Sequence, residues 1–350
     1  MPSTFLFLVV DTVSVLFLGD VMQHKEQLRS ALIPGGDTLV SSSYDYSSYF
    51  RHVRRYIDSA DFTVANMEFC LGGAPYTGYP SFSAPEELAQ EAAGAGIDLL
   101  LCANNHICDR GRRGLASSLA KYEETGIPVT GLYRDSVAES RDNPFIADVG
   151  GISIAFVNFT YGTNGVRVPP PYVVNMMDKD AVRTAVHRAE DSGADIVVAL
   201  PHWGQEYTTR SDSTQHRWAR FLLECGADAV IGSHPHVIQE VEFPVIYSLG
   251  NFISNMSLRN TGLGIMYRLD IAVTSYGQAF IAGGEAIPVW CSRAGGYEKG
   301  YTVLPVPEFL GRRDEFANPA DYDKMKDTYD RLKPLFENDR KEGETRDSID

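Results

Sequence analysis

The chain has 350 residues, 44% hydrophobic and 22% charged, which is ordinary globular usage that supplies a sizeable core and excludes disorder throughout. Its 46 acidic and 31 basic residues leave a formal charge of -15, a field that repels nucleic acid and anionic lipid and argues against a polyphosphate-binding face. The five cysteines, Cys70, Cys102, Cys108, Cys225 and Cys291, are odd in number and form no Cys-x-x-Cys pair, so neither a disulfide framework nor a zinc ribbon is indicated.

The first apolar run, from Phe5 to Val10, is broken by Asp11 and resumes as Val13 to Leu18. It falls well short of the roughly 20 residues a spanning helix needs, so no transmembrane segment is expected. This start lacks a basic n-region and a convincing cleavage site. The compartment is the cell envelope if an export signal precedes it, and the cytoplasm otherwise.

Short apolar runs rich in β-branched residues then alternate with amphipathic stretches, the pattern of buried strands covered by helices, and the fold class reads as α/β. Strands are expected at 13–18, 62–65, 97–101, 152–158, 196–200, 229–231 and 245–249, with helices at 85–94, 113–125, 179–192 and 213–225. Gly72-Gly73-Ala74-Pro75 and Pro169-Pro170-Pro171 read as loop punctuation, because the strand rhythm resumes on both sides. One domain is expected over 13–310, followed at 311–350 by a charged helical extension with a frayed tail nearly devoid of apolar side chains. Residues 256–350 carry no interpretable motif.

Open α/β sheets place their sites outside the carboxyl ends of strands, and five of these ends carry metal-competent residues. They are Asp20, then Asn66-Met67-Glu68, then Asn104-Asn105-His106, then His202, and finally His234-Pro235-His236. Imidazole, carboxylate and amide oxygen together suit Mn, Zn, Fe or Ni, whereas an all-oxygen set would suit Mg or Ca. Proline at 235 favours extended backbone before it, which would lay the two imidazoles on one side, and Gly232 permits a tight bend there. Taken singly, each residue has a plain reading: Asp20 caps a helix, Asn105 takes a left-handed turn, Glu68 is a paired carboxylate and His202 a core histidine. Their joint occurrence at successive strand ends points to a shared metal site. His52, His187 and His216 lie in helical or polar stretches and read as solvated; His24, four residues after Asp20, could reach the site from the following loop but reads first as a surface residue.

The motifs resemble those of the CapA family, named for bacterial poly-γ-glutamate capsule synthesis, within the calcineurin-like metallophosphoesterase superfamily. The resemblance runs through Leu18-Gly19-Asp20-Val21-Met22, Ala65-Asn66-Met67-Glu68, Ala103-Asn104-Asn105-His106, His202-Trp203-Gly204-Gln205-Glu206-Tyr207, Gly232-Ser233-His234-Pro235-His236 and Tyr247-Ser248-Leu249-Gly250-Asn251-Phe252. It implies a four-layer αββα sandwich, two packed mixed sheets flanked by helices, with one or two divalent transition-metal ions at one edge. It implies Asp20, Glu68, Asn105, His202, His234 and His236 as metal ligands and His106 as a catalytic histidine. Asp109 would orient His106 or else cap a helix, and Trp203, Tyr207 and Asn251 would shape the pocket rim. Two departures stand out. The superfamily's Asp-x-His opening is here Asp20-Val21-Met22, and its bridging aspartate is replaced by Glu68.

Two functions follow from the resemblance. One is a metal-dependent hydrolase acting on a phosphoester, or on an amide or ester of an anionic cell-surface polymer. The other is a non-catalytic, metal-containing component of a capsule-polymer synthesis or export assembly, with other subunits of that complex as partners. The missing histidine of the opening motif favours the second, and the open ligand set with Asn105-His106 favours the first.

Overall fold

Every second residue of the strand Val9–Val21 goes to a different core: Val13, Val15 and Phe17 to one, Leu16 and Leu18 to the other. A strand apolar on both faces must lie between two covering layers. The structure, a computed structural model, describes residues 9–337. The start of the 5–10 apolar run and the expected tail at 339–350 lie outside the described residues.

Val9–Val21 is central in an eight-stranded sheet of order Thr302–Pro305, Ala279–Ser292, Leu263–Thr274, Val9–Val21, Phe62–Met67, Leu99–Leu101, Val129–Thr130, with Asn251–Ile253 pairing to Val9–Val21 off this path. The last four strands of that order run parallel, and the first three are antiparallel additions. A second, six-stranded sheet has the order Val241–Glu242, Val245–Ile246, Ala229–Ile231, Ile196–His202, Ile152–Thr160, Phe145–Val149, again parallel at its centre.

The two sheets face each other through Val15, Phe17, Leu99 and Leu101 on one side and Ile154, Phe156, Val198 and Ile231 on the other. Phe156 is the hinge of that contact, with ring centroids 6.4 Å from Phe17 and 5.3 Å from Phe62. Truncating such a fully buried ring typically costs about 3–5 kcal/mol. The outer face of the first sheet is covered by Glu86–Gly94 and Gly111–Thr125 through Leu88, Ala92, Leu115 and Tyr122. That of the second sheet is covered by Lys179–Asp191 and Ser213–Glu224 through Val182, Val186 and Leu222. The result is the four-layer αββα sandwich. Asp178 caps Lys179–Asp191, and Asp212 with Gln215 forms a capping box on Ser213–Glu224, satisfying donors that would otherwise face outward unpaired.

The helix Pro319–Leu332 buries Tyr322, Met325, Tyr329 and Leu332 against the inter-sheet core. The hairpin Leu263–Thr274 and Ala279–Ser292 is absent from the strands expected from sequence. Gly283-Gly284 and Pro288 interrupt its second strand, and several of its side chains are half-exposed, so it lacks the continuous apolar run that marks the central strands. No helix among the described residues is long and apolar enough to cross a membrane.

Candidate metal centre

The parallel strands of both sheets end at the same edge, and their last residues meet there. Asp20 closes Val9–Val21, Glu68 follows Phe62–Met67, and Asn105 and His106 follow Leu99–Leu101. From the other sheet, His202 is the last residue of Ile196–His202, and His234 and His236 lie in the turn after Ala229–Ile231. All seven are buried. The site therefore straddles the seam between the sheets.

Close backbone approach makes this possible. A Cβ on Gly19 would stand 2.2 Å from the Gly250 carbonyl oxygen, and one on Gly232 would stand 2.1 Å from the Tyr247 oxygen. The His-Pro-His turn differs from the extended segment that proline suggests. His234 (φ 99°) and His236 (φ 58°) are both left-handed. Proline at 235 disfavours right-handed helical backbone at 234 but leaves the left-handed region open. The turn is held from two sides, by the His234 amide donating to Asp20 Oδ2 at 3.3 Å and by the Tyr207 amide donating to the Pro235 carbonyl at 2.8 Å.

The donors lie within reach of one another. His236 Nδ1 is 3.2 Å from Asp20 Oδ2, and Glu68 Oε1 is 3.5 Å from His236 Nε2 and 3.6 Å from His202 Nε2. Asn105 Oδ1 contacts His202 Nε2 at 2.8 Å, and Asn66 Nδ2 donates to Asp20 Oδ1 at 2.7 Å. Burial would raise the Asp20 carboxyl, yet its hydrogen bond to His236 and that ring's charge outweigh burial and hold it below the usual range. Burial would lower His236, but the carboxylates of Glu68 and Asp20 push it up to about 9. Burial, with the neighbouring imidazoles, drives His234 well below its ordinary value.

Glu68 carries the strongest signal. It is fully buried, and neither of its carboxylate oxygens accepts a hydrogen bond, while His234 Nδ1 is also without a partner. A buried carboxylate so left costs several kcal/mol unless a cation compensates it. Glu68, His202 and His234 offer ligand atoms within 4.8 Å of one another, as do Asp20, Glu68 and His236. Mixed nitrogen and oxygen donors of this kind suit a divalent transition ion, so these residues fit one.

His106 stands beside this cluster with a different partner. Its Nδ1 meets Asp109 Oδ2 at 2.8 Å, and that same oxygen accepts from the Phe82 amide at 2.7 Å. The helix that follows is capped by Arg110 without a side-chain bond, so Asp109 serves the imidazole and not the helix. Phe82 packs edge-on to the His106 ring at 4.6 Å. The expected rim residues separate. Tyr207 is 40% exposed with its ring 6.1 Å from His236, a rim position. Asn251 is buried and contacts His236 Nδ1 at 3.1 Å through Oδ1, so it holds the ring. Trp203 is buried in the packing under the second sheet's helices, its indole N–H donating to the Tyr247 carbonyl.

Two residues here fall outside the set expected from sequence. Tyr161, 46% exposed, lies 4.5 Å from His234 between ring centroids. Glu206 joins His234 and His236 in a third group of possible donors. Glu206 lies in the turn beyond the strand end that carries His202, where no regular spacing marks it. Of the remaining histidines, His187 and His216 are exposed. His52 is half-buried against Tyr297 and Phe309, and His24 is half-buried against Phe82, so neither is simply solvated.

Comparison with known proteins places these features in a wider context. A family model described as bacterial capsule synthesis protein PGA_cap matches residues 14–256. The capsule biosynthesis protein CapA of Bacillus anthracis is 26% identical over 264 residues, which cover 69% of this chain and 63% of that one, so the chain spans a little under two thirds of this relative. A Staphylococcus aureus protein described as a candidate 5'-nucleotidase has a similar structure, with TM-score 0.51 and 14% identity over 92% of this chain and 59% of that one. The calcineurin-like phosphoesterase YfkN of Bacillus subtilis aligns with TM-score 0.47 and 14% identity over 79% of this chain and 90% of its own. At 14% identity the likeness to the Staphylococcus aureus structure is one of fold.

Proposed function

The chain belongs to the bacterial capsule synthesis protein family PGA_cap, and from that membership and the buried donor cluster we propose a metal-dependent hydrolase of capsule or exopolymer biosynthesis. Its substrate class is a phosphoester, or an amide or ester of an anionic surface polymer. The observation that carries the reading is Glu68, a fully buried carboxylate with both oxygens unbonded, facing His202 and His236. In the metal-free chain a protonated His236 at 3.5 Å offsets part of that charge without a hydrogen bond to either oxygen, and a divalent ion would engage the oxygens directly.

Asp20, Glu68, Asn105, His202, His234 and His236 would hold one or two divalent ions. When bound, such an ion lowers the pKa of its water towards neutrality and polarises the scissile oxygen. The chain's own residues do the rest. Asp109 fixes the His106 tautomer by accepting a hydrogen bond from Nδ1–H, which leaves Nε2 as the nitrogen that exchanges a proton with a leaving oxygen. Asn251 holds His236 in place from behind. Tyr161 and Tyr207, both exposed beside the histidines, form an aromatic rim that excludes water from one side of a bound polymer segment.

Elemental analysis of the purified protein, joined to a panel of phosphoester and γ-glutamyl substrates, tests this. Turnover that needs the metal is the expected result, and no metal under reconstituting conditions would overturn it. One observation favours the alternative of a non-catalytic assembly component: Met22 is buried in the helix-side core at 1% exposure, so the opening motif adds no imidazole to the cluster. That reading expects metal-dependent polymer binding with no turnover on any substrate of the panel.

A further inference from the structure

Glu206 has no place in the six-residue donor set, yet the fold brings it to the same imidazoles. We propose that Glu206 is a metal ligand, forming with His234 and His236 a solvent-side ion position that competes with the two deeper ones. The inference rests on the metal-site reading above and adds a position and a ligand to it.

The geometry is specific. The ligand atoms of Glu206, His234 and His236 all lie within 4.8 Å of one another. Glu206 is only partly buried, whereas Asp20, Glu68 and His202 are fully buried. Of the three donor groups, this one alone includes a residue open to solvent. The turn bearing Glu206 is fastened to the His-Pro-His turn by the hydrogen bond from the Tyr207 amide to the Pro235 carbonyl, at 2.8 Å. Gly204 (φ 86°) lies so close over Gln215 that a Cβ would stand 2.6 Å from its amide carbon, and Gln215 is itself tied to Gln239 at 2.7 Å. Glu206 is thus carried on a braced turn, which lowers the entropy lost when it ligates an ion.

Sharing dictates the competition. His234 also belongs to the group with Glu68 and His202, and His236 to the group with Asp20 and Glu68. The two deeper groups have only Glu68 in common, and its two oxygens can serve two ions. The Glu206 group instead draws on both shared imidazoles at once, so an ion there takes donors from both deeper positions. The solvent-side position is also the first that an arriving ion meets.

Cobalt(II) is a suitable probe, because its visible absorption reports coordination without any need for turnover. Chelator-stripped full-length protein would be titrated with cobalt(II) alone, for the native chain, Glu206→Gln, and Glu224→Gln as an exposed control. The expected result is an altered absorption band and roughly tenfold or greater weakening of one binding event in Glu206→Gln, with the control matching the native chain. Far-UV circular dichroism of each variant verifies folding, and Glu206→Asp should recover part of the band. A native-like band and affinity in Glu206→Gln would overturn the inference while leaving the metal site intact. Failure of the native chain to take up any cobalt would overturn both.

Discussion

Replacing Glu68 by glutamine separates the energetics of the bare fold from those of the loaded site. Ionised, the buried carboxylate forfeits several kcal/mol of hydration. An imidazolium at 3.5 Å, the His236 distance, returns about 5 kcal/mol at an effective dielectric constant of 20. These opposing amounts nearly cancel, so Glu68→Gln should leave the melting temperature of the metal-free protein within a few degrees of native. The loaded protein should behave differently. An ion present at 100 times its Kd stabilises the native chain by about 2.7 kcal/mol, which is roughly 4 °C for a chain of this length. Losing one member of a buried charge cluster costs about 3 kcal/mol or more, a hundredfold in affinity, and that reduces the metal-induced shift to about half a degree. Differential scanning calorimetry of stripped protein with and without zinc(II) or manganese(II) measures both quantities. A metal-induced shift in Glu68→Gln equal to the native one would refute the placement of Glu68 at the ion.

His202→Ala and His234→Ala should each lower metal content by elemental analysis, whereas His187→Ala on the exposed face of Lys179–Asp191 should not. His106→Ala should keep the metal and lower hydrolytic turnover by roughly 100 to 10,000-fold, and loss of metal instead would make it a ligand. In the metal-free protein His236 is pushed up to about 9, above its ordinary 6.5. Its protonated form therefore adds stability that is fully present below about pH 6.5 and is lost as pH rises through 9. Melting temperatures of chelated protein should fall across that window, and a flat or rising profile would contradict the pairing with Glu68 and Asp20. Gly19→Ala sets a methyl against the Gly250 carbonyl, so the urea midpoint should drop by the equivalent of about 2 kcal/mol or more.

Much of the layer structure was legible because the central strands are apolar on both faces. The runs at 13–18, 62–65, 196–200 and 229–231 each became part of a strand, and four of the longer helices begin or end within two residues of the expected positions. The Ala279–Ser292 hairpin strand was not legible, because glycine, proline and half-exposed residues hide its period. At the site, strand ends announced Asp20, Glu68, His202 and the His-Pro-His turn. Sequence spacing does not tell which side of a sheet's packing a residue joins, so Trp203, one residue beyond His202, ends in the core while its neighbour faces the cluster. Glu206 was illegible for a related reason. It reaches the histidines through a left-handed turn at Gly204 and Tyr207, and periodicity carries no information about such a turn.

The hydrogen bond between the His234 amide and Asp20 joins positions 214 residues apart in the chain. At roughly 5–20 residues per second of synthesis, that separation amounts to about 10 to 40 s. Between the making of residue 105 and that of residue 202 the growing polypeptide holds the first-sheet oxygen donors Asp20, Glu68 and Asn105 without the imidazoles of the second sheet. Such an oxygen-only set favours magnesium, the ion that nitrogen donors would later disfavour. An ion held by the mixed donor set would therefore be selected only after residue 236 has been made and the second sheet has docked on the first.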